Sequence, residues 1–382
     1  MEKYDYIIAG GGCAGLMLAL EFTKGSSRNK SILIIDRDKK NKNDRTWCFW
    51  EQGDNELEHI ISKKWSLANF YGNNFDQRLQ LSPYQYKMVR SIDFYKHAHK
   101  ELSLNDNITY RTANIEAASP KGYVEVGGQR IYADLIFNSF QHWDELEIPG
   151  KYNTLLQHFK GWFIRTEKPV FNPEVMTYMD FRVKQHNDTR FCYVLPTSEN
   201  EALIEYTIFS EQLLEENEYE KGLKKYLLDQ LKVKDYAIEE EEFGIIPMTD
   251  FPFPKKKGRI IYIGTTGGYT KASTGYTFLK IQKNVKKIVK NLEAGKPPIN
   301  KSLYSPKRFR LYDSILLNVL KNNLYPAKDF FTDLFKKNDP RKVLKFLDEE
   351  TNLKEEMEIM DLAPKKQFLK AFMKQVKKIH KL

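Results

Sequence analysis

The chain opens with two apolar runs separated by a glycine-rich break. The apolar run over residues 4–9 predicts a strand, and the apolar stretch over 16–22 predicts a helix. A further apolar run at 31–35 predicts a second strand, which ends on Asp36. Strand, turn, helix and strand in this order predict a βαβ unit.

Three glycines in the break, Gly10, Gly12 and Gly15, have the spacing of a dinucleotide-binding turn. Gly10 permits the tight turn, Gly12 lets a pyrophosphate approach the backbone, and Gly15 lets the helix and strand pack closely. The free N–H groups at the start of the helix favour phosphate. Asp36 is placed to accept a hydrogen bond from a ribose hydroxyl. The pattern therefore predicts a bound adenine dinucleotide, and the alternative is a glycine-rich turn in an unrelated α/β protein.

A second glycine cluster favours FAD over NAD. An apolar strand is predicted over residues 259–263, the glycine-rich turn 264–268 follows, and a helix with three- and four-residue apolar spacing begins after residue 275. Flavoproteins of this topology return to the sheet through such a strand and present a helix N-terminus to the flavin pyrophosphate. Thr265 stands where those proteins usually carry an aspartate.

The middle of the chain predicts an antiparallel meander. Strands are predicted over residues 175–183, 190–195 and 202–209, and the segments between them are rich in turn-forming residues. Upstream, part of an apolar face over residues 83–103 predicts a helix.

The predicted fold class is α/β (α+β), with a Rossmann-like FAD-binding domain, an inserted antiparallel-sheet substrate domain and a C-terminal helical region. The FAD-binding domain is expected to be discontinuous. Its segments are 1–50, 83–150 and 243–300, the substrate domain takes 51–82 and 151–242, and the helical region is 301–382.

Cysteine usage indicates a reducing compartment. Cys13, Cys48 and Cys192 are an odd set without CxxC spacing, so neither a disulfide framework nor a metal site is expected. No signal peptide is predicted, and no apolar run approaches the roughly 20 residues that span a bilayer.

The net charge of +10 is concentrated in residues 301–382, which contain 19 Lys and Arg against 11 Asp and Glu. Aromatic and aliphatic residues alternate with these bases. Such a surface suits an anionic membrane face better than nucleic acid, because no nucleic-acid-binding module accompanies the charge. A solvated helical tail packed on the core is the alternative interpretation.

Glu205 is the most informative ionisable residue. Strand alternation places it on one face with Leu203, Thr207 and Phe209, on the predicted floor of the inserted sheet. An apolar setting disfavours the charged carboxylate and prepares a general acid. The alternative is a surface glutamate on a half-exposed strand.

Two other acidic positions are less informative from spacing alone. Asp180 and Arg182 have the spacing of a structural ion pair. Glu242 follows an acidic run and, taken in isolation, is expected to be solvated.

Five motifs in order closely resemble the bacterial lycopene β-cyclase flavoproteins. They lie at residues 44–50, 179–182, 203–207, 242–248 and 264–276. Two segments at 308–313 and 345–349 are similar too, so the resemblance covers nearly the whole chain. One departure is Thr270-Lys271-Ala272, where many members have a His-Pro pair.

The resemblance implies a lycopene cyclase, an intramolecular lyase or isomerase. Such enzymes convert the ψ-ends of lycopene to β-ionone rings, giving β-carotene via γ-carotene. The reaction is an acid-initiated carbocation cyclisation that needs reduced FAD and has no net redox change. It further implies NAD(P)H as reductant and lycopene and related acyclic carotenoids as substrates. A cytoplasmic enzyme, peripheral on the inner face of the cell membrane and without a nucleic-acid partner, is expected.

The same resemblance implies roles for particular residues. Glu205 and Glu242 become the expected catalytic carboxylates. The expected cofactor-binding residues are Gly10, Gly12, Cys13, Ala14, Gly15, Asp36, Arg37, Arg45, Thr46, Trp47, Gly264, Thr265, Gly267, Gly268, Thr274, Gly275 and Tyr276. The expected substrate pocket contains Asp180, Arg182, Tyr206, Met248 and Phe278.

Two other functions share the first glycine motif. One is an FAD-dependent redox enzyme, such as a monooxygenase, a halogenase or a prenyl reductase. The other is a non-enzymatic FAD-dependent protein associated with membranes. The motifs around Glu205 and Tyr276, together with Thr265, favour the cyclase.

Overall fold

A computed structural model describes residues 2–140, 147–361 and 365–379. Its strands are β1 Lys3–Ala9, β2 Ile32–Asp36, β3 Thr46–Gln52, β4 Lys63–Trp65, β5 Leu67–Tyr71, β6 Asp76–Gln80, β7 Tyr84–Arg90, β8 Ile108–Thr112, β9 Ala117–Ser119, β10 Tyr123–Val126, β11 Gln129–Asn138, β12 Thr154–Arg165, β13 Val175–Asp180, β14 Thr189–Pro196, β15 Glu201–Ser210, β16 Ala237–Thr249, β17 Lys256–Lys257 and β18 Ile260–Tyr262.

The helices follow the same chain order. They are α1 Cys13–Phe22, α2 Ser91–Leu102, α3 Glu216–Asp229, α4 Phe278–Glu293, α5 Lys307–Lys321, α6 Ala327–Lys337, α7 Pro340–Leu347, α8 Leu353–Asp361 and α9 Lys365–Ile379. Among the described residues, no helix combines the length and the apolar character that a membrane crossing requires.

The first sheet is built on the βαβ unit that the opening pattern predicts. Its main path runs β17-β18-β11-β1-β2-β8, and the pairs from β18 to β8 are parallel. The apolar residues of β2 are fully buried because helices cover one face and a second apolar cluster covers the other. Helices α1 and α4 pack against each other on this sheet. Their N-termini therefore lie near the carboxyl ends of β1 and β18.

The second sheet has seven strands in the order β16-β12-β15-β14-β13-β5-β6. One face carries an apolar cluster against α3, which includes Trp162, Ile204 and Tyr219. The opposite face lies over the glycine loops of the first sheet. Strand β16 continues in this sheet to Thr249, beyond the predicted return at residue 243.

The helix expected over residues 83–103 forms only in part. Residues 84–90 are the strand β7, which pairs with β3 and β4 in a third sheet, and α2 begins at Ser91. Tertiary pairing overrides the helical pattern, because β7 is buried on both faces. Even Lys87 is fully buried there, and its ammonium binds Glu51 and Glu58.

The C-terminal helices cover the far end of the seven-stranded sheet. Phe331 of α6 stacks on Phe181, and Phe335 packs on Phe70. Helix α9 packs against α5 and buries Ala371 there. The helices and the sheet thus enclose a mostly apolar space, which is described below.

Candidate active site

A cleft of about 740 Å³ lies between the glycine loops and the seven-stranded sheet. Thirteen of the predicted cofactor-binding residues line it: Gly12, Cys13, Ala14, Asp36, Arg37, Arg45, Thr46, Trp47, Gly264, Thr265, Thr274, Gly275 and Tyr276. Glu205 and Phe278 line the same cleft. The two glycine clusters, far apart in sequence, therefore meet at one site.

The N-terminus of α1 is open toward this cleft. No side chain caps it, and its first turn carries no acidic residue. A Cβ built on Gly12 meets no atom within 4 Å, so a side chain there would occupy the space in front of the helix. Free N–H groups and open space are what a pyrophosphate needs. The residues present therefore fit a dinucleotide.

The other glycines of the first turn act behind the cleft. Gly10 has a φ of +107°, and a Cβ on Gly15 would lie 1.9 Å from the Gly10 carbonyl oxygen. The Gly11 N–H donates to Asp36 Oδ2 at 2.6 Å, which orients this carboxylate at the edge of the turn. Burial raises the pKa of the Cys13 thiol, which disfavours the thiolate form.

Glu205 and Glu242 come together across a glycine. Gly161 of β12 is the register partner of Glu205 on β15 and of Glu242 on β16. One strand, β12, separates the two glutamates, and a side chain at position 161 would stand between them. A Cβ on Gly161 would lie 2.9 Å from Glu242 Cγ and 3.2 Å from Glu205 Cγ. The absent side chain leaves the gap into which both carboxyl groups fold.

The surroundings of the pair favour protonated carboxyl groups. Burial, followed by the charge of Glu242, raises the pKa of Glu205 well above its ordinary value. Burial also raises the pKa of Glu242, but the hydrogen bond with Glu205 opposes this rise, as does the Thr46 hydroxyl, which donates to Oε2 at 2.8 Å. The protonated Glu205 carboxyl is hydrogen-bonded to Glu242, and Oε1 of Glu242 has no other partner among the described residues. The pair therefore places a strong proton holder directly beside a proton acceptor.

Tyrosine rings lie on the side of Glu205 that is opposite to Gly161 and Glu242. Tyr193 of β14 is the register partner of Glu205, and its ring centroid lies 5.9 Å from that of Tyr178. Tyr86 lies 5.9 Å from Tyr178, and its hydroxyl is 3.1 Å from that of Tyr276. Burial raises the pKa of Tyr86, Tyr193 and Tyr276 well above the ordinary value, so these rings are neutral phenols.

A second cavity, of about 400 Å³, lies between the sheet and the C-terminal helices. Its lining is mainly aromatic and aliphatic, with Phe309, Phe331 and Phe346 among its members. Tyr193, Thr274 and Tyr276 line both this cavity and the cleft. The mostly apolar space and the dinucleotide cleft therefore adjoin at the tyrosines beside Glu205.

A buried ion pair network fastens the segment that departs from the family pattern. Lys271 donates to both carboxylate oxygens of Asp313, at 2.8 and 3.0 Å, and to Glu349 at 3.1 Å. Burial lowers the pKa of Lys271, but Asp313 and Glu349 outweigh this and hold the pKa above its ordinary value. The ammonium joins the cofactor loop to α5 and to the turn after α7. Many family members have a His-Pro pair at this segment, and a role that depends on that histidine cannot be assigned to Lys271.

Several predicted pocket residues lie elsewhere. Tyr206 is directed to the opposite face of the sheet from Glu205, because neighbouring strand residues alternate, and it packs in the cluster against α3. Asp180 is fully buried in an ion pair with Arg182 and accepts from Tyr226 of α3 at 2.8 Å. Met248 is a core residue. The structure places none of these four against the cleft or the apolar cavity.

Gly267 and Gly268 support the second turn from behind. A Cβ on Gly267 would lie 2.5 Å from the Tyr262 carbonyl oxygen, and Gly268 has a φ of +68°. Their carbonyl groups accept from Lys255. Their role is to shape the loop that carries Thr265.

Sequence reasoning missed Gly161 and the partners of Tyr276. A signal for Gly161 was available, because a lone glycine inside a strand marks a close approach of other groups. Tyr86, Tyr178 and Tyr193 carry no such signal, since aromatic residues are common in any strand.

Comparison with solved structures identifies the class of fold. A geranylgeranyl bacteriochlorophyll reductase-like protein from Thermoplasma acidophilum matches with a TM-score of 0.60 at 15% identity, over 99% of this chain and 100% of the other. A flavin-dependent brominase matches with a TM-score of 0.60 at 11% identity, over 98% and 100%. The enzyme 2-methyl-3-hydroxypyridine-5-carboxylic acid oxygenase gives 0.53 at 12% identity, over 97% and 96%. The predicted fold class, α/β (α+β) with a Rossmann-like domain, is confirmed.

The sequence itself gives the family. Residues 5–373 match the model of the lycopene cyclase protein family. The chain belongs to this family, as the five motifs indicated. No curated protein matched the sequence.

Proposed function

We propose that this protein is an FAD-dependent lycopene β-cyclase that forms β-ionone rings without net redox change. The observation that carries the proposal is the position of Glu205. This carboxyl group has a strongly raised pKa, lies beside a second carboxyl group, and is located where a dinucleotide cleft adjoins a mostly apolar cavity. Protonating a neutral polyene requires this combination of a protonated acid and an apolar space.

FAD fits the cleft for reasons that lie in the residues. The open N-terminus of α1 beside Gly12 suits the pyrophosphate, Asp36 suits the ribose, and Thr265 offers a hydroxyl to the ribitol or a phosphate. Reduced FAD, when bound, would supply negative charge that stabilises a carbocation electrostatically. NAD(P)H would supply the electrons that reduce the FAD.

The carboxyl pair can move one proton without net change. Glu205 donates its proton to the terminal double bond of an acyclic carotenoid, and the resulting cation closes the six-membered ring. A proton leaves the carbon next to the cationic centre, and the ionised Glu242 accepts it at Oε1, which has no partner other than Glu205 among the described residues. Transfer from Glu242 back to Glu205 restores the starting state. Hydrogen bonds with Glu205 and with Thr46 keep Glu242 the more readily ionised member of the pair.

The tyrosines next to Glu205 suit the cation that follows protonation. Their electron-rich ring faces attract positive charge by about 0.5–2 kcal/mol per ring, most strongly in a desolvated site. Because Tyr193 and Tyr276 line both spaces, they hold the polyene end at the acid. Their neutral hydroxyls do not capture the cation as a phenolate would.

Glu205→Gln tests the mechanism, since the amide keeps the shape and removes the transferable proton. We expect normal FAD binding and a fall in cyclisation of about 10²–10⁴-fold, the range of general acid catalysis. Glu201→Gln is the matched control, because Glu201 lies on the same strand and pairs with Arg165. It should leave turnover unchanged. Turnover is measured as ring-closed product from lycopene under anaerobic conditions.

The dependence of protein stability on pH gives a second test of the raised Glu205 pKa. A raised pKa in the folded state means that the stability contribution of Glu205 is complete below its ordinary pKa of 4.5 and is lost as pH rises through the raised pKa. Wild-type Tm should therefore fall over this interval, and Glu205→Gln should flatten the fall.

Consumption of one NAD(P)H per product would instead identify a redox enzyme of the same fold.

A further inference from the structure

The last two described helices expose apolar side chains. On α8, Leu353 and Met357 are 63% and 64% exposed, and they lie one helical turn apart. On α9, Leu369, Phe372 and Met373 are 56%, 41% and 55% exposed. Five large apolar side chains on two consecutive helices are more than the scattered exposure usual on a soluble surface.

The sides of α9 follow one another in a definite order. At roughly 100° per residue, the side that faces the protein, with the half-buried Phe368 and the buried Ala371 and Gln375, comes first. The exposed apolar side of Phe372, Leu369 and Met373 follows it. The exposed lysines Lys366, Lys370 and Lys374 come next. An apolar side bordered by lysines is the pattern of a helix that lies in a membrane interface.

The same surface leads into the mostly apolar cavity. Leu369 and Phe372 of α9 are exposed to solvent and also line that cavity. Ile359 and Met360 of α8 line the cavity as well. The cavity therefore opens between α8 and α9, and its inner end lies at Tyr193 and Tyr276 beside the carboxyl pair. An apolar molecule that enters here need not cross water to reach Glu205.

The lysines beside the opening of the cavity indicate the charge of the partner that binds there. Lys366, Lys370 and Lys374 form no ion pair with any acidic group in the ranges that the structure describes, whereas the acidic Glu355 and Glu358 of α8 are paired with lysines of α7. The net charge available to a partner is positive. Anionic lipid headgroups complement it at about 1 kcal/mol per basic residue.

We propose that the α8–α9 surface, made of Leu353, Met357, Leu369, Phe372 and Met373 with the three lysines, docks on an anionic lipid bilayer and is the entrance for the polyene. This inference rests on the proposed function for the identity of the substrate. The docking itself requires only the exposed side chains and the charge.

The test uses the full-length protein and vesicles of phosphatidylcholine with or without about 30% phosphatidylglycerol. Met357→Gln/Met373→Gln removes two exposed side chains that do not line the cavity. We expect at least tenfold weaker cosedimentation with anionic vesicles. Leu104→Gln/Val170→Gln, at 68% and 45% exposure outside this surface, is the matched control and should bind as wild type does. Lys366→Gln/Lys370→Gln/Lys374→Gln should remove the preference for anionic lipid.

Substrate delivery separates docking from chemistry. The Met357→Gln/Met373→Gln variant should cyclise lycopene in detergent micelles at the wild-type rate and lose about tenfold when lycopene is embedded in vesicles. Vesicle binding equal to that of the Leu104→Gln/Val170→Gln control would overturn the proposal. A wild-type dimer that this variant converts to monomers would overturn it too, because a second copy would then cover the surface. Weakened vesicle binding in a protein that cyclises nothing would support the docking and refute the proposed function.

Discussion

Gly161→Ala is the sharpest test of how the carboxyl pair is built. The added methyl group would lie 2.9 Å from Glu242 Cγ, 3.1 Å from Leu203 Cδ1 and 3.2 Å from Glu205 Cγ. The two glutamate Cγ atoms lie near the backbone ends of their side chains, so they cannot swing away as a side-chain tip such as Leu203 Cδ1 can. One or both carboxyl groups must therefore move.

The expected magnitudes differ for stability and for turnover. Overpacking of a filled site costs about 1–3 kcal/mol of unfolding free energy, which a Tm measurement detects. A displacement of a catalytic group by about 1 Å costs on the order of 10²-fold in rate. We expect kcat for cyclisation to fall by about that factor, while the FAD affinity changes little. The alkaline limb of the pH–rate profile should also move to lower pH, because a more distant Glu242 raises the pKa of Glu205 less.

Two glycine controls separate crowding from the loss of the pair. A Cβ on Gly222 of α3 would lie 2.5 Å from the Tyr206 ring, on the opposite face of the same sheet. Gly222→Ala should therefore crowd the sheet and leave turnover intact. Gly150→Ala places its methyl group in open space and should change neither quantity. Full activity and an unmoved alkaline limb in Gly161→Ala would refute the reasoning that the pair needs the gap.

Two further predictions concern the cofactor and the second carboxyl group. Gly12→Val should leave the fold intact, since a side chain there meets only open space, but it should lower FAD affinity by at least 10²-fold in a fluorescence titration; unchanged affinity would place the pyrophosphate elsewhere. Thr46→Val removes the donor to Glu242 Oε2 and should raise the pKa of Glu242, which moves the acidic limb of the pH–rate profile to higher pH. A limb that moves to lower pH, or does not move, would exclude Glu242 as the proton acceptor.

Local patterns in the sequence were sufficient for the parts of the protein whose interactions are local. The βαβ unit could be predicted because the spacing of Gly10, Gly12 and Gly15 reports backbone requirements directly. Its observed φ angle and close contacts agree with those requirements. The face of Glu205 was likewise predictable, because strand alternation has a period of two.

Residues 84–90 were predicted wrongly for a physical reason. This segment alternates apolar and polar side chains, as a strand does, but the helical spacing of Met88, Ile92 and Tyr95 extends into it from α2. Its strand character comes from β3 and β4, which lie at a distance in the sequence. Tyr206 was assigned to the substrate pocket with Glu205 by the family resemblance, although the alternation that placed Glu205 directs Tyr206 to α3.

The partner of Glu205 could not be found from spacing alone. Glu242 follows acidic residues that are exposed or half-exposed, and only the pairing of β16 with β12 brings it to the cleft. Register between distant strands depends on the hydrophobic pattern of the whole sheet and on its turns. The adjacency of Glu205, Gly161 and Glu242 is therefore a property of the completed sheet.

The arrangement of Glu205, Gly161 and Glu242 across three neighbouring strands also has a consequence for folding. Glu205 and Glu242 become neighbours only after β12 has paired with β15 on one side and with β16 on the other. Before that stage each carboxyl group stays in water, so the folding chain does not carry a buried acid while it is still incomplete. Contacts between such distant segments form late, because the loops between them must close first. A slip of one residue in either pairing would turn a carboxyl group toward α3, so a mispaired sheet also lacks the acid pair.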